Sequence, residues 1–115
     1  MITIAAALAF AVCPPPPARR ETCVHDGDTI WIDGEKLRLE DIDTPELNGR
    51  CEREQRLAIE ARERLIELMN AESVNVIYTG RRGRYGRELV RLPGISERLV
   101  QEGLARRWGD RRGWC

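Results

Sequence analysis

Apolar and polar residues alternate in three short runs near the start of the chain, separated by two acidic turns. Thr22–His25 leads into Asp26-Gly27-Asp28, Thr29–Ile32 follows, and Asp33-Gly34 turns the chain into Lys36–Ile42. Asp-Gly between alternating runs signals a hairpin, because both residues tolerate the backbone angles of a tight turn. The two-residue period places Ile30, Ile32, Leu37 and Leu39 inward and turns Trp31 and Arg38 to the opposite face. Thr44-Pro45 ends the third strand, since proline supplies no amide hydrogen to the ladder. The apolar period then lengthens. Over residues 51–70 it predicts one amphipathic helix with Leu57, Ala61, Leu65, Leu68 and Met69 on its buried stripe.

Alternation returns at Ser73–Thr79, through Val74, Val76 and Tyr78. Gly80–Gly86 reads as a basic, glycine-rich loop and Arg87–Leu92 as a fifth strand. Ser96 is expected to cap a short last helix that Gly103 ends. Three strands, a long helix, two strands and a short C-terminal helix make an α+β, mainly β chain. That order is the order of a five-stranded OB-fold barrel, and other α+β folds share it.

Ahead of these elements, Met1–Val12 is an apolar run, followed by Cys13 and four prolines. The run is shorter than the roughly 20 residues that span a bilayer, but it suits the core of a signal peptide, with Ala9-Phe10-Ala11 as a small-x-small cleavage site. No Lys or Arg precedes it, which a signal peptide ordinarily has. The expected organisation is a signal peptide over 1–12, a stiff proline-rich spacer over 13–20, and one domain over 21–115. The product would be secreted or periplasmic, monomeric and without stable membrane insertion. A lipid on Cys13 is the competing reading, disfavoured by the bulky Val12 before it.

Export changes the meaning of the cysteines. Cys13, Cys23, Cys51 and Cys115 make an even set, which in an oxidising compartment reads as two disulfides with three possible pairings. Cys23–Cys51 is the expected bond, tying the first strand to the long helix, with about 3–4 kcal/mol of stabilisation from loop closure. Zinc is the alternative. It is poorly served, because the chain has no CxxC pair and a single histidine, His25.

Formal net charge is zero, which excludes a generic polycation that coats nucleic acid. The charge is unevenly placed: acids dominate residues 21–72 and arginines dominate residues 73–115. Asp33 and Glu35 fit the turn that contains them. Asp28 and Asp43 differ, since each ends a strand that the hairpin brings beside the other. Two carboxylates and a nearby carbonyl form a hard oxygen site suited to Ca²⁺ or Mg²⁺.

These pieces resemble the staphylococcal-nuclease-like thermonucleases. The resemblance lies in Asp26-Gly27-Asp28-Thr29, in Arg38 followed by Asp43-Thr44-Pro45-Glu46, in Tyr85-Gly86-Arg87 and in Gln101-Glu102-Gly103-Leu104-Ala105. It extends over most of residues 22–108. It implies a calcium-dependent nuclease that cuts DNA and RNA, single strands preferred, to 3′-phosphate products. By the same resemblance, Asp28 and Asp43 would bind calcium through their carboxylates and Thr44 through its main-chain carbonyl. Glu46 would orient or deprotonate the attacking water, Arg38 and Arg87 would hold the scissile phosphate, and Arg84 and Tyr85 would contact the nucleotide.

The residue types suit those roles. Phosphodiester hydrolysis needs an activated water, a polarising cation and donors for charge that develops on phosphate oxygens. Arginine meets the last need because its planar fork grips two oxygens and keeps its charge. Simpler readings compete residue by residue: Arg38 paired with Glu40 or Glu88, Glu46 opening the helix, and the loop arginines merely solvated. At the level of the whole chain, the alternatives are a non-catalytic OB-fold module that binds single strands, or an envelope domain tethered through Cys13. The passage after Arg87 is shorter than the family's, and its nucleotide-covering aromatics have no clear match beyond Tyr85.

Overall fold

The computed structural model describes residues 2–6, 9–71 and 73–115, the first stretch by its backbone alone. Met1, Ala7 and Leu8 of the expected signal segment lie outside the described residues, as does Glu72. The elements in chain order are β1 (Ile2–Ala6), β2 (Cys23–Asp26), β3 (Thr29–Ile32), β4 (Glu35–Leu39), β5 (Ile42–Asp43) and α1 (Glu52–Ala71). Then come β6 (Val74–Arg82), a single 3₁₀ turn at Arg84–Gly86, β7 (Glu88–Arg91), α2 (Ile95–Gln101) and β8 (Arg106–Arg107).

The Asp33-Gly34 turn forms as expected, with both residues at positive φ (50° and 81°), the geometry that matches the twist of a two-residue hairpin. Its register pairs Ile30 with Leu37 and Thr29 with Arg38. Ile30, Ile32, Leu37 and Leu39 are accordingly buried, while Trp31 and Arg38 lie on the other face and are half-buried.

Six strands form one sheet in the order β1-β6-β7-β4-β3-β2, antiparallel throughout except for the parallel pair β4–β7. The five expected strands are therefore present within a larger, open sheet, not a closed five-stranded barrel. Ala11 and Cys13 bond to both sides of Val24, accepting its amide at 2.8 Å and donating to its carbonyl at 3.0 Å. The passage after β1 thus reaches the far edge of the sheet. A separate pair, β5 with β8, brings Asp43 opposite Arg106.

The core holds Val24, Ile30, Leu37, Leu39, Leu65, Met69, Val76, Val90 and Leu99, with Phe10 added from the N-terminal segment. Each such aliphatic side chain contributes about 1.5–3 kcal/mol on burial. Asn70 clamps Phe10 by its backbone, accepting its amide at 2.8 Å and donating to its carbonyl at 2.9 Å. The buried stripe of α1 is Glu54, Ala58, Ala61, Leu65 and Met69, so Leu57 and Leu68 sit at its margins. Ser96 does not cap α2. Gly94 precedes the helix, its amide held by Glu97 at 2.6 Å, while Ser96 is buried and donates to Asp41.

The disulfides are Cys13–Cys23 and Cys51–Cys115, not the expected Cys23–Cys51. Parallel pairing at Val12 and Val24 brings the Cα atoms of Cys13 and Cys23 within 4.8 Å, and the chain's last residue returns to the start of α1. Among the described residues no helix is long and apolar enough to cross a membrane.

Candidate active site

The acidic turn between β2 and β3 is built around Asp28. Asp26 Oδ1 accepts the amide of Asp28 at 3.2 Å, and Asp28 O accepts the amide of Leu39 at 2.9 Å. Asp28 is only 7% exposed. Its side chain accepts from Thr29 Oγ1 and, at 3.3 Å, from the amide of Thr44. Gly27 makes this contact possible, because a Cβ there would lie 2.7 Å from Thr44 Cγ2. The sequence thereby locks the Asp-Gly-Asp turn onto the Asp43-Thr44-Pro45 segment.

Arg38 lies between the two acids. Its Nη2 is 2.9 Å from Asp43 Oδ1 and 3.5 Å from Asp28 Oδ2, and its Nη1 donates to the carbonyls of Ile42 and Leu39. Trp108 covers the guanidinium, with its ring centroid 5.3 Å away. The competing partners are otherwise engaged, since Glu40 binds Arg81 and Arg91 while Glu88 faces Arg82.

Burial pushes the Asp28 carboxyl up to about 6, with Asp26 adding to the effect and Arg38 opposing it. Desolvation raises Asp43 as well, against Arg38 and with Asp28. Glu46 stands at the surface. Partial desolvation raises its pKa, and the nearby Asp28, Glu54 and Asp43 add to that. One guanidinium thus serves several crowded carboxylates, a charge imbalance that a hard divalent cation would relieve. Among the described residues no three His, Cys, Asp or Glu side chains form a ligand cluster, so such an ion would need backbone oxygen beside Asp28 and Asp43. Thr44 fits this donor set, with its amide already on Asp28 and its buried hydroxyl without a partner.

Arg38 also lines a groove of about 770 Å³ with Arg84, Arg87, Arg91, Arg107 and Trp108. Arg87 Nε donates to Arg84 O at 3.2 Å, and its guanidinium carbon lies 6.0 Å from the Tyr85 ring. Tyr85 adopts a left-handed backbone (φ 65°) and is 86% exposed. The structure therefore joins Asp28, Asp43, Thr44 and Arg38 at one place and joins Arg38 to Arg84 and Arg87 through the groove.

Two residues at this site stand outside the site residues assigned from the sequence. Trp108 covers Arg38 from the segment after α2, a contact that no local pattern announces. Glu54 accepts the amide of Glu46 at 3.1 Å from within the buried stripe of α1. A carboxylate four positions before Ala58, on an otherwise apolar helix face, was the available signal.

Residues 36–112 match the family model described as staphylococcal nuclease homologue, a stretch that holds Arg38, Asp43, Thr44, Glu46, Arg84, Tyr85 and Arg87, with Asp28 just upstream. A search of curated proteins finds no match. With two thirds of its length inside the matched stretch and Arg38 seated between Asp28 and Asp43, the chain belongs to the staphylococcal nuclease homologue family.

Proposed function

We propose that the protein is an exported, calcium-dependent nuclease that hydrolyses DNA and RNA, single strands preferred, to 3′-phosphate products. The observation that carries this reading is Arg38, held by Asp28 and Asp43 at its tip and open to an arginine-lined groove beside it. A module that only binds nucleic acid has no need of desolvated carboxylates there.

Asp28, Asp43 and the Thr44 carbonyl would hold calcium, which when bound supplies positive charge for the phosphate oxygens. Glu46 accepts a proton from the attacking water as its oxygen bonds to phosphorus. The bond from phosphorus to the 5′ oxygen breaks and the departing oxygen takes a proton from solvent, leaving a 3′-phosphate and a 5′-hydroxyl. Arg38 and Arg87 stabilise the charge that develops on the phosphate, each to the extent of about 3–4 kcal/mol if they act as typical oxyanion donors. Arg84 and the exposed Tyr85 meet the neighbouring nucleotide, Tyr85 by stacking on a base that a single strand leaves accessible.

Two disulfides support an oxidising, extracytoplasmic compartment, and residues 1–12 are read as the export signal. The test is hydrolysis of heat-denatured DNA by the oxidised protein, with calcium and with chelator, beside Glu46→Gln. Calcium-dependent cutting that the variant loses is expected. A protein that binds the DNA and leaves it whole under every metal would be a binding module instead.

A further inference from the structure

Glu54 lies on the buried face of α1, 7% exposed, where it faces backbone. Its two oxygens hold the two ends of one loop. Oε2 accepts the amide of Glu46 and Oε1 the amide of Arg50, both at 3.1 Å. The loop also closes on itself, with Gly49 N donating to Glu46 O at 3.0 Å and Gln55 Nε2 donating to Gly49 O at 3.0 Å. Gly49 lies flat against the carboxylate, since a Cβ there would stand 2.5 Å from Glu54 Cγ. Cys115 Sγ, 3.9 Å from Oε1, covers the same carboxylate from the far end of the chain.

A buried carboxylate is costly unless hydrogen bonds compensate it, so these contacts define its place. Helix capping accounts for the bond to Arg50, just before α1, in the manner of an acid three residues into a helix. It does not account for the bond to Glu46, eight positions upstream.

We propose that Glu54 is a positioning residue for Glu46: it clamps residues 46–50 by their backbone and fixes the point from which the Glu46 side chain works. The proposal rests on the nuclease reading of Glu46, and it makes the buried face of α1 part of the catalytic apparatus without touching substrate. Removing the clamp lets Glu46 drift, and a misplacement of about 1 Å at a reacting group costs on the order of 100-fold in rate.

The test compares Glu54→Gln and Gly49→Ala with the unaltered, oxidised full chain on heat-denatured DNA with calcium. Both are expected to lower kcat by about 100-fold while KM stays within about twofold. In a Glu46→Gln background, Glu54→Gln should cost less than about twofold more, since the group it positions is already gone. An equal loss in both backgrounds, or a loss confined to KM, overturns the proposal. Gly49→Ala displaces the loop without altering the carboxylate, and serves if Glu54→Gln does not fold. Amide hydrogen exchange at Glu46 and Arg50 decides the clamp without any activity. Exchange at least about tenfold faster in Glu54→Gln supports it, and unchanged protection overturns it. Unaltered protein that cuts nothing sinks the nuclease reading, while exchange still decides the clamp.

Discussion

The guanidinium of Arg38 reaches back to hold the carboxylate of Asp43 at 2.9 Å, and the same nitrogen lies 3.5 Å from Asp28. A cation seated on those acids would share them with Arg38. Arg38→Ala is therefore expected to move two measurements in opposite directions. Hydrolysis should fall by about 100- to 1,000-fold with the loss of a phosphate donor, while calcium binds more tightly to acids freed of their internal cation. Calcium titration of the thermal midpoint reads the second effect, and weaker binding in the variant would show that arginine and ion do not compete.

Asp28 also sets a pH dependence. Its ordinary value is 3.8, and burial raises it to about 6 in the folded chain, so the folded state holds this proton more tightly than the unfolded one. Its contribution to stability is present at low pH and is lost as pH rises through the folded value, a change of about 3 kcal/mol. Urea unfolding in chelator between pH 4 and pH 7 should show this loss in the unaltered protein relative to Asp28→Asn. Equal slopes in the two would mean that Asp28 is not desolvated.

How much of this was legible in the sequence depends on the range of the interaction. The alternation of Ile30, Ile32, Leu37 and Leu39 is a local signal, and the hairpin it specifies turns Trp31 and Arg38 to the opposite face as read. Asp28, Arg38 and Asp43 meet because that hairpin is short, so their juxtaposition could be read as well. β5 and β8 could not, since each is two residues long and exists only by pairing across most of the chain. The cysteine pairing failed for the same reason: it depends on where Cys13 and Cys115 return in three dimensions. In α1 the expected Ala61, Leu65 and Met69 are buried, whereas the close approach to the sheet selects the small Ala58 in place of the expected Leu57 and Leu68.

The two disulfides should contribute unequally. Cys51–Cys115 closes a separation of 64 residues and Cys13–Cys23 one of 10. On loop-closure entropy these correspond to about 4 and about 3 kcal/mol. Replacing each pair by serine and comparing urea midpoints checks the order. A larger loss from the Cys13–Cys23 pair would show that the unfolded chain is not what these bonds chiefly restrain.

Gly27→Ala is expected to separate the acidic turn from Thr44, since the added methyl would fall 2.7 Å from Thr44 Cγ2. Overpacking of this kind costs about 1–3 kcal/mol. Calcium-induced stabilisation should shrink alongside it, because the displaced Thr44 carries the carbonyl assigned to the ion. A variant that unfolds more easily yet keeps the full calcium response would remove Thr44 from the proposed ligand set.

The clamp of Asn70 on Phe10 has a bearing on timing. Phe10 is buried, and it sits one residue before the bond at which a signal peptidase acting after Ala11 would cut. A peptidase needs that stretch extended in its own cleft, and a folded chain has already taken it into the core. On that reading maturation and folding would draw on the same few residues, and their order would decide which structure results. Cut early, the chain would fold with Asn70 lacking both its bonds and with the outer edge of Val74–Tyr78 open; folded early, it would keep Ile2–Ala6 as a strand on that edge.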